Sequence, residues 1–139
     1  MTIHQLSVFL ENKPGALDEI LNILKAANIQ IIASTISDTV EYGIYRIITN
    51  EPQKAYDALK AKNISVNLAD VFAISLDNKV GRAADVICLF TKAGVNIEYL
   101  YSFLIKNQGI LIFRTDNPVI TNEIITLNNL TSIFESDLV

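Results

Sequence analysis

The sequence predicts an α+β protein built from two tandem ferredoxin-like βαββαβ sandwiches with antiparallel sheets. Three observations predict it. A pattern in the first half returns in the second at a fixed offset of 66 positions. Each copy reads strand, helix, strand, strand, helix, strand. Each copy takes half of the 139 residues, enough for that order in a small split-βαβ sandwich.

The repeat is clearest at Leu10-Glu11-Asn12-Lys13-Pro14-Gly15, which returns as Leu76-Asp77-Asn78-Lys79-Val80-Gly81. The same offset pairs Ala27 with Ala93, Ile31 with Ile97, Gly43 with Gly109, Thr49 with Thr115 and Pro52 with Pro118. No gap is needed. Conserved spacing of two glycines and a proline sets the boundaries at residues 1–69 and 70–139.

Each element can be justified in one copy and checked in the other. Leu6, Val8 and Leu10 alternate, as do Phe72, Ile74 and Leu76, which marks a half-buried strand. A helix follows with Leu17, Ile20, Leu21, Leu24 and Ala27 on one stripe, matched by Ala83, Val86, Ile87, Phe90 and Ala93. It ends at Asn28 or Gly94, the residue types that best adopt the left-handed conformation past a helix. Segments 29–37 and 95–103 are rich in β-branched and aromatic residues and read as strands. Turns at Glu41-Tyr42-Gly43 and Asn107-Gln108-Gly109 lead into strands 44–49 and 110–115, which makes hairpins. Pro52 and Pro118 open the second helices, where a missing N–H is tolerated. Last strands are expected at 64–68 and 130–134. Such a sandwich leaves one sheet face and its edges open to partners.

Composition excludes several classes. Fifty per cent of residues are apolar, and 11 Lys+Arg stand against 15 Asp+Glu for a net charge of −4. That charge argues against nucleic-acid binding. No apolar run approaches the roughly 20 residues of a membrane-spanning helix, and residues 1–4 do not resemble a signal peptide. One cysteine, Cys88, forms no internal disulfide and fits a cytoplasmic location. Cys88 lies among Val86, Ile87, Leu89 and Phe90 and reads as a small buried apolar residue. His4 is the only histidine and reads as an ordinary strand residue. No zinc spacing, phosphate loop or nucleophile set is present. The expectation is a protein without catalytic residues, metal or cofactor.

The informative feature is the loop that opens the first helix, present twice. A helix start exposes unpaired N–H groups and the positive end of a dipole, which suits a carboxylate or phosphate. Asn12 and Asn78 can both donate and accept, and Gly15 and Gly81 would let backbone approach a ligand. A small amino acid needs this mixture. A plain tight turn with Asn near the helix cap fits the same residues.

Glu11-Asn12-Lys13-Pro14-Gly15-Ala16-Leu17 resembles the D/N-x-P-G-x-L signature of the ACT domain, an amino-acid-sensing module of metabolic regulators. Asp77-Asn78-Lys79-Val80-Gly81-Arg82-Ala83 and Ala93-Gly94-Val95-Asn96-Ile97-Glu98-Tyr99 are similar to segments of aspartate kinase regulatory regions. The resemblance spans nearly the whole chain. It implies a ligand at interfaces between ACT units, touching Asn12, Gly15, Ala16 and Leu17 of the first copy. In the second copy it implies Asn78, Gly81, Arg82, Ala83, Asn96 and Ile97. Arg82 stands where the family has a small residue, and Gln30 stands where the second copy has Asn96, so the two copies are expected to be unequal. The implied partners are a free amino acid and further copies of the chain in a homodimer.

The leading expectation is thus a regulatory protein that binds an amino acid and acts on another protein. The alternative is a dimerisation or docking module without a ligand, seated on a metabolic enzyme. An acylphosphatase-like activity lacks its phosphate loop. RNA stacking on Tyr45, Tyr101 and Phe113 lacks the basic residues it needs, and those rings could equally pack inside.

Overall fold

A computed structural model describes residues 2–38, 41–77 and 79–138. The order is β1 (Ile3–Glu11), α1 (Ala16–Ala26), β2 (Ile31–Asp38), β3 (Tyr42–Thr49), α2 (Pro52–Ala61), β4 (Val66–Leu76), α3 (Arg82–Lys92), β5 (Ile97–Ile105), β6 (Gln108–Thr115), α4 (Pro118–Leu127), β7 (Thr131–Ser132) and a 3-10 turn, Glu135–Leu138. By compactness the chain forms one unit of residues 4–69, which residue 138 joins, and another of residues 70–137, which residues 2–3 join.

In the first unit β3 lies antiparallel between β1 and β2, with Leu6 opposite Ile47 and Ser34 opposite Ile47 on the other side. The Phe9 N–H donates to Ser65 O at 3.0 Å, which seats the start of the last strand beside β1. Alternation along β1 and β3 turns Leu6, Val8, Tyr45 and Ile47 to one face. There they pack with Ile20 and Leu24 of α1 and Ala55 and Leu59 of α2. Both helices therefore cover the same sheet face. Full burial of a side chain such as Leu24 is worth about 1.5–3 kcal/mol.

The second unit repeats the plan. β6 lies antiparallel between β4 and β5, with Phe72 opposite Phe113 and Leu100 opposite Phe113. Phe72, Ile74, Leu111 and Phe113 face Val86 and Phe90 of α3 and Ile124 and Ile125 of α4. Phe113 stacks on Phe72 at 5.6 Å and meets Phe90 at 5.3 Å. The fold is the duplicated antiparallel α+β sandwich that the sequence predicts.

Four expectations need correction. The strands expected at 64–68 and 72–76 run as one strand, Val66–Leu76. No proline or glycine stands between them to end the pairing. The strand expected at 130–134 keeps only Thr131–Ser132. Past it, Phe134 N donates to Asp137 Oδ2 at 2.8 Å and Asp137 N to Phe134 O at 2.9 Å, so Asp137 turns the chain out of the ladder. Gly43 and Gly109 are strand residues rather than turn residues. The second hairpin turns at Lys106 and Asn107, with φ of 50° and 65°. A Cβ on Gly43 would stand 3.3 Å from Ser37 O, so Gly43 serves close strand approach. Cys88 is exposed. It lies two positions from both Val86 and Phe90, which puts it on the opposite side of α3.

Other expectations hold as read. Pro52 and Pro118 are the first residues of α2 and α4. Asn28 and Gly94 close α1 and α3 with φ of 59° and 73°. Tyr45 and Phe113 are buried under the helices, so neither is a stacking surface. No helix among the described residues is long and apolar enough to cross a membrane.

Candidate functional site

The first loop is built by its own backbone. Lys13 N donates to Glu11 O at 2.9 Å and Ala16 N to Lys13 O at 3.3 Å, while Asn12 N donates to Glu41 O at 3.1 Å and ties the loop to the start of β3. Gly15 caps α1 with φ of 89° and offers no side chain to the helix N–H groups. A Cβ on Gly15 would meet nothing within 4 Å. Its glycine is therefore required by the left-handed backbone, and not by crowding. Asp18 and Glu19 occupy the first turn of α1, where negative charge suits the dipole.

The second loop repeats the two bonds internal to the first, and its helix opens as α1 does, where Glu19 N donates to Gly15 O at 3.0 Å. Lys79 N donates to Asp77 O at 2.9 Å, Arg82 N to Lys79 O at 3.2 Å and Asp85 N to Gly81 O at 3.1 Å. Gly81 has φ of 83°. Asn78, the counterpart of Asn12, lies outside the described residues.

Two hollows flank the first loop. One, of about 190 Å³, is lined by Leu10, Glu11, Asn12, Lys13, Leu17, Ile36 and Gly43. The other, of about 450 Å³, lies on the far side against Asn63, Ile64 and Ser65, with Pro14, Gly15, Ala16 and Glu19. The fold thus brings Asn12, Gly15, Ala16 and Leu17 around one loop. Lys13 Nζ sits 3.1 Å from Glu11 Oε2 at its rim.

The second copy differs at its helix start. Arg82 is half-buried, and its Nε lies 3.9 Å from Asp77 Oδ2. That Nε is shielded from solvent without a hydrogen-bond partner. Gly81, Arg82 and Ala83 share this loop. Asn96 and Ile97 do not. Ile97 pairs with Thr115, whereas the loop end of the sheet is the row of Leu104, Gly109 and Leu76. Seven residues of strand separate them, roughly 20 Å. Asn96 instead exchanges bonds with Asp116, its N–H donating to Asp116 Oδ1 at 2.9 Å and its carbonyl accepting from Asp116 N at 3.1 Å. Gln30 makes the same exchange with Asn50. Sequence reading missed Ile36 and Gly43 as neighbours of the first loop. The hairpin register carries that signal, because Leu10 pairs with Gly43.

Among the described residues no three His, Cys, Asp or Glu side chains converge as metal ligands would. Two ferredoxin-like units, each opening its first helix with a glycine-capped loop, define a class of small regulatory modules. The chain belongs to the ACT domain pair family, whose model matches residues 1–139. Among solved structures, protein BT0572 from Bacteroides thetaiotaomicron is 38% identical, with 99% of this chain and 96% of that one covered and a TM-score of 0.93. The regulatory subunit of aspartate kinase from Thermus flavus is 16% identical, with 87% and 86% covered and a TM-score of 0.61. The ligand-free form from Thermus thermophilus is 12% identical, with 89% and 91% covered and a TM-score of 0.60. At these identities the two aspartate kinase subunits share the fold. No curated protein matches the sequence.

Proposed function

We propose that this ACT domain pair is a non-catalytic regulatory protein that binds a free amino acid beside its strand-to-helix loops. Its ACT domains are residues 1–69 and 70–139. The observation that carries the reading is the duplicated loop whose two internal backbone bonds recur and whose glycines cap α1 and α3 in left-handed conformations. The loop carbonyls of Lys13 and Lys79 take the first N–H of each helix; the N–H groups that follow in the first turn have no carbonyl partner within the helix, and they offer a carboxylate donors at the positive end of the dipole.

Asn96 and Ile97 stand at the far end of β5 from the loop of their own unit. A ligand that touches both a loop and a strand start draws them from different ACT units of an assembly. We therefore read the active form as a homodimer at least. Ligand that fits one arrangement of units stabilises that arrangement and shifts its population. That shift is the signal passed to another protein.

Isothermal titration of the full chain against the twenty amino acids tests the reading. Saturable heat with at least one amino acid is expected. Silence from all of them at millimolar concentration would sink it. A second reading, a docking module without ligand, is favoured by Leu100 and Leu104 of β5, 49% and 71% exposed. Retention of a stable enzyme partner, indifferent to every amino acid, would select that reading instead.

A further inference from the structure

The sheet face of the second unit that points away from α3 and α4 carries a hollow of about 240 Å³. Ile105, Gln108 and Ile110 of the β5–β6 hairpin form one wall, and Thr131 and Ile133 form the other. Leu111 and Phe113 pack under the helices, so alternation turns Ile110 to the opposite face. Among the described residues, no member of the loop at 77–82 lines the hollow. The second wall is held in place. Ile133 N donates to Ala73 O at 2.8 Å, and Phe134 and Asp137 exchange the two bonds that turn the chain out of the ladder.

The first unit fills the equivalent place with its own side chains. Ser75 stands opposite both Ile110 and Thr131, between the two walls. At the offset of 66, Ser75 replaces Phe9 and Gln108 replaces Tyr42. Phe9 stands opposite Ile44, the counterpart of Ile110, and its ring meets that of Tyr42 at 5.8 Å. The second unit keeps the isoleucine and loses both rings.

We propose that this hollow binds a small aromatic carboxylate, its ring against Ile105, Ile110 and Ile133 and its carboxylate at Lys106. A ring there restores the contact with isoleucine that the first unit makes within its own chain, and its burial is favourable. Charge selects the other end of the ligand. Lys106 and Asp137 are the two charged residues of the lining. Asp137 Oδ2 already accepts the Phe134 N–H at 2.8 Å. Lys106 takes part in none of the ion pairs among the described residues. The unmet charge is therefore positive and favours an anion. The hollow is smaller than the roughly 300–1,000 Å³ of sites for drug-sized ligands, which suits a single ring.

Backbone amide NMR of the full chain, titrated with sodium benzoate, tests this. Saturable shifts are expected at residues 105–110 and 131–133, and not along α3. Benzyl alcohol keeps the ring, drops the charge and should bind about fivefold more weakly. Acetate, which drops the ring, should not saturate at the same concentrations. Lys106→Gln should weaken benzoate about fivefold. Gln108→Tyr, which copies the twin residue, should fill the hollow and weaken benzoate about tenfold. The thermal midpoint of each variant reports whether it is folded. Lys106 is an exposed turn residue, so its variant carries the test if Gln108→Tyr unfolds. Shifts confined to other residues, or binding that ignores the folded variants, would overturn the site. Acetate or benzyl alcohol binding as tightly as benzoate would overturn the ligand class. Absence of saturable shifts at millimolar benzoate removes both, and leaves the reading of the strand-to-helix loops untouched.

Discussion

Thr121 closes a small ring of hydrogen bonds in the second unit. Its Oγ1 donates to Asn117 O at 2.9 Å and stands 2.8 Å from Thr115 Oγ1. Thr121 spends its hydroxyl hydrogen on Asn117, so Thr115 is the donor between the two. The Asn117 N–H returns to Thr115 Oγ1 at 3.3 Å. In the first unit Thr49 keeps the strand position, but Ala55 replaces the second threonine. Thr49 Oγ1 is accordingly buried with no hydrogen-bond partner. An unsatisfied buried hydroxyl costs about 1–3 kcal/mol. Thr121→Ala should therefore lower the stability of the second unit by about 1–2 kcal/mol, read from urea midpoints. Adding Thr115→Val to it should recover part of that loss, because the orphaned hydroxyl is gone. An unchanged midpoint in Thr121→Ala would mean the ring carries no weight. The strand threonines were legible as a repeated pair. Their relation to position 55 or 121 was not, because it depends on which helix residue folds back over the strand end.

Helices α1 and α3 show which parts of an element the sequence states. Their stripes, their closing residues and the loops that open them were all legible from periodicity and from Asn or Gly at the end. The role of Gly15 and Gly81 was only half legible. Close approach to a ligand was expected, whereas the observed need is a φ near 89° and 83°. Gly15→Ala and Gly81→Ala should each destabilise by about 1–2 kcal/mol, the cost of a left-handed conformation with a Cβ. Neither should distort its surroundings, since a Cβ meets nothing within 4 Å at either position. Thermal denaturation reads the loss, and a loss below a few tenths of a kcal/mol would refute the strain. Strand ends were the weak point. β-branched residues at 130–134 promised a strand, but Asp137 captures the Phe134 N–H and stops it. Asp137→Ala should speed hydrogen exchange at the Phe134 amide by several-fold, about 1 kcal/mol of local stability. Exchange as slow as in the parent chain would show that another contact holds the turn.

At the scale of the molecule, the repeat settled the fold class before any element was placed, because two weak readings at one offset support each other. Assembly is a different matter, since it depends on which sheet edges stay bare. β5 is an edge strand of nine residues, Ile97–Ile105, and Glu98 is its one charged residue. Natural edges are commonly guarded by lysine, proline or a bulge against pairing with another chain. The irregularity between Ile97 and Tyr99 lies at one end only. From Tyr99 to Ile105 the edge is regular, and Leu100 and Leu104 project there largely exposed. An unguarded apolar edge of that length favours a second copy in antiparallel register, which covers both leucines. Light scattering at micromolar concentration should therefore report about twice the chain mass of 15.4 kDa. Leu104→Lys places a charge on the edge and should shift the species toward the single chain. It should also reduce the rise of the thermal midpoint with protein concentration, because that rise measures linked association. A single-chain mass in the parent protein, with a midpoint independent of concentration, would leave β5 without a partner copy. A dimer that ignores Leu104→Lys would place the contact on another surface.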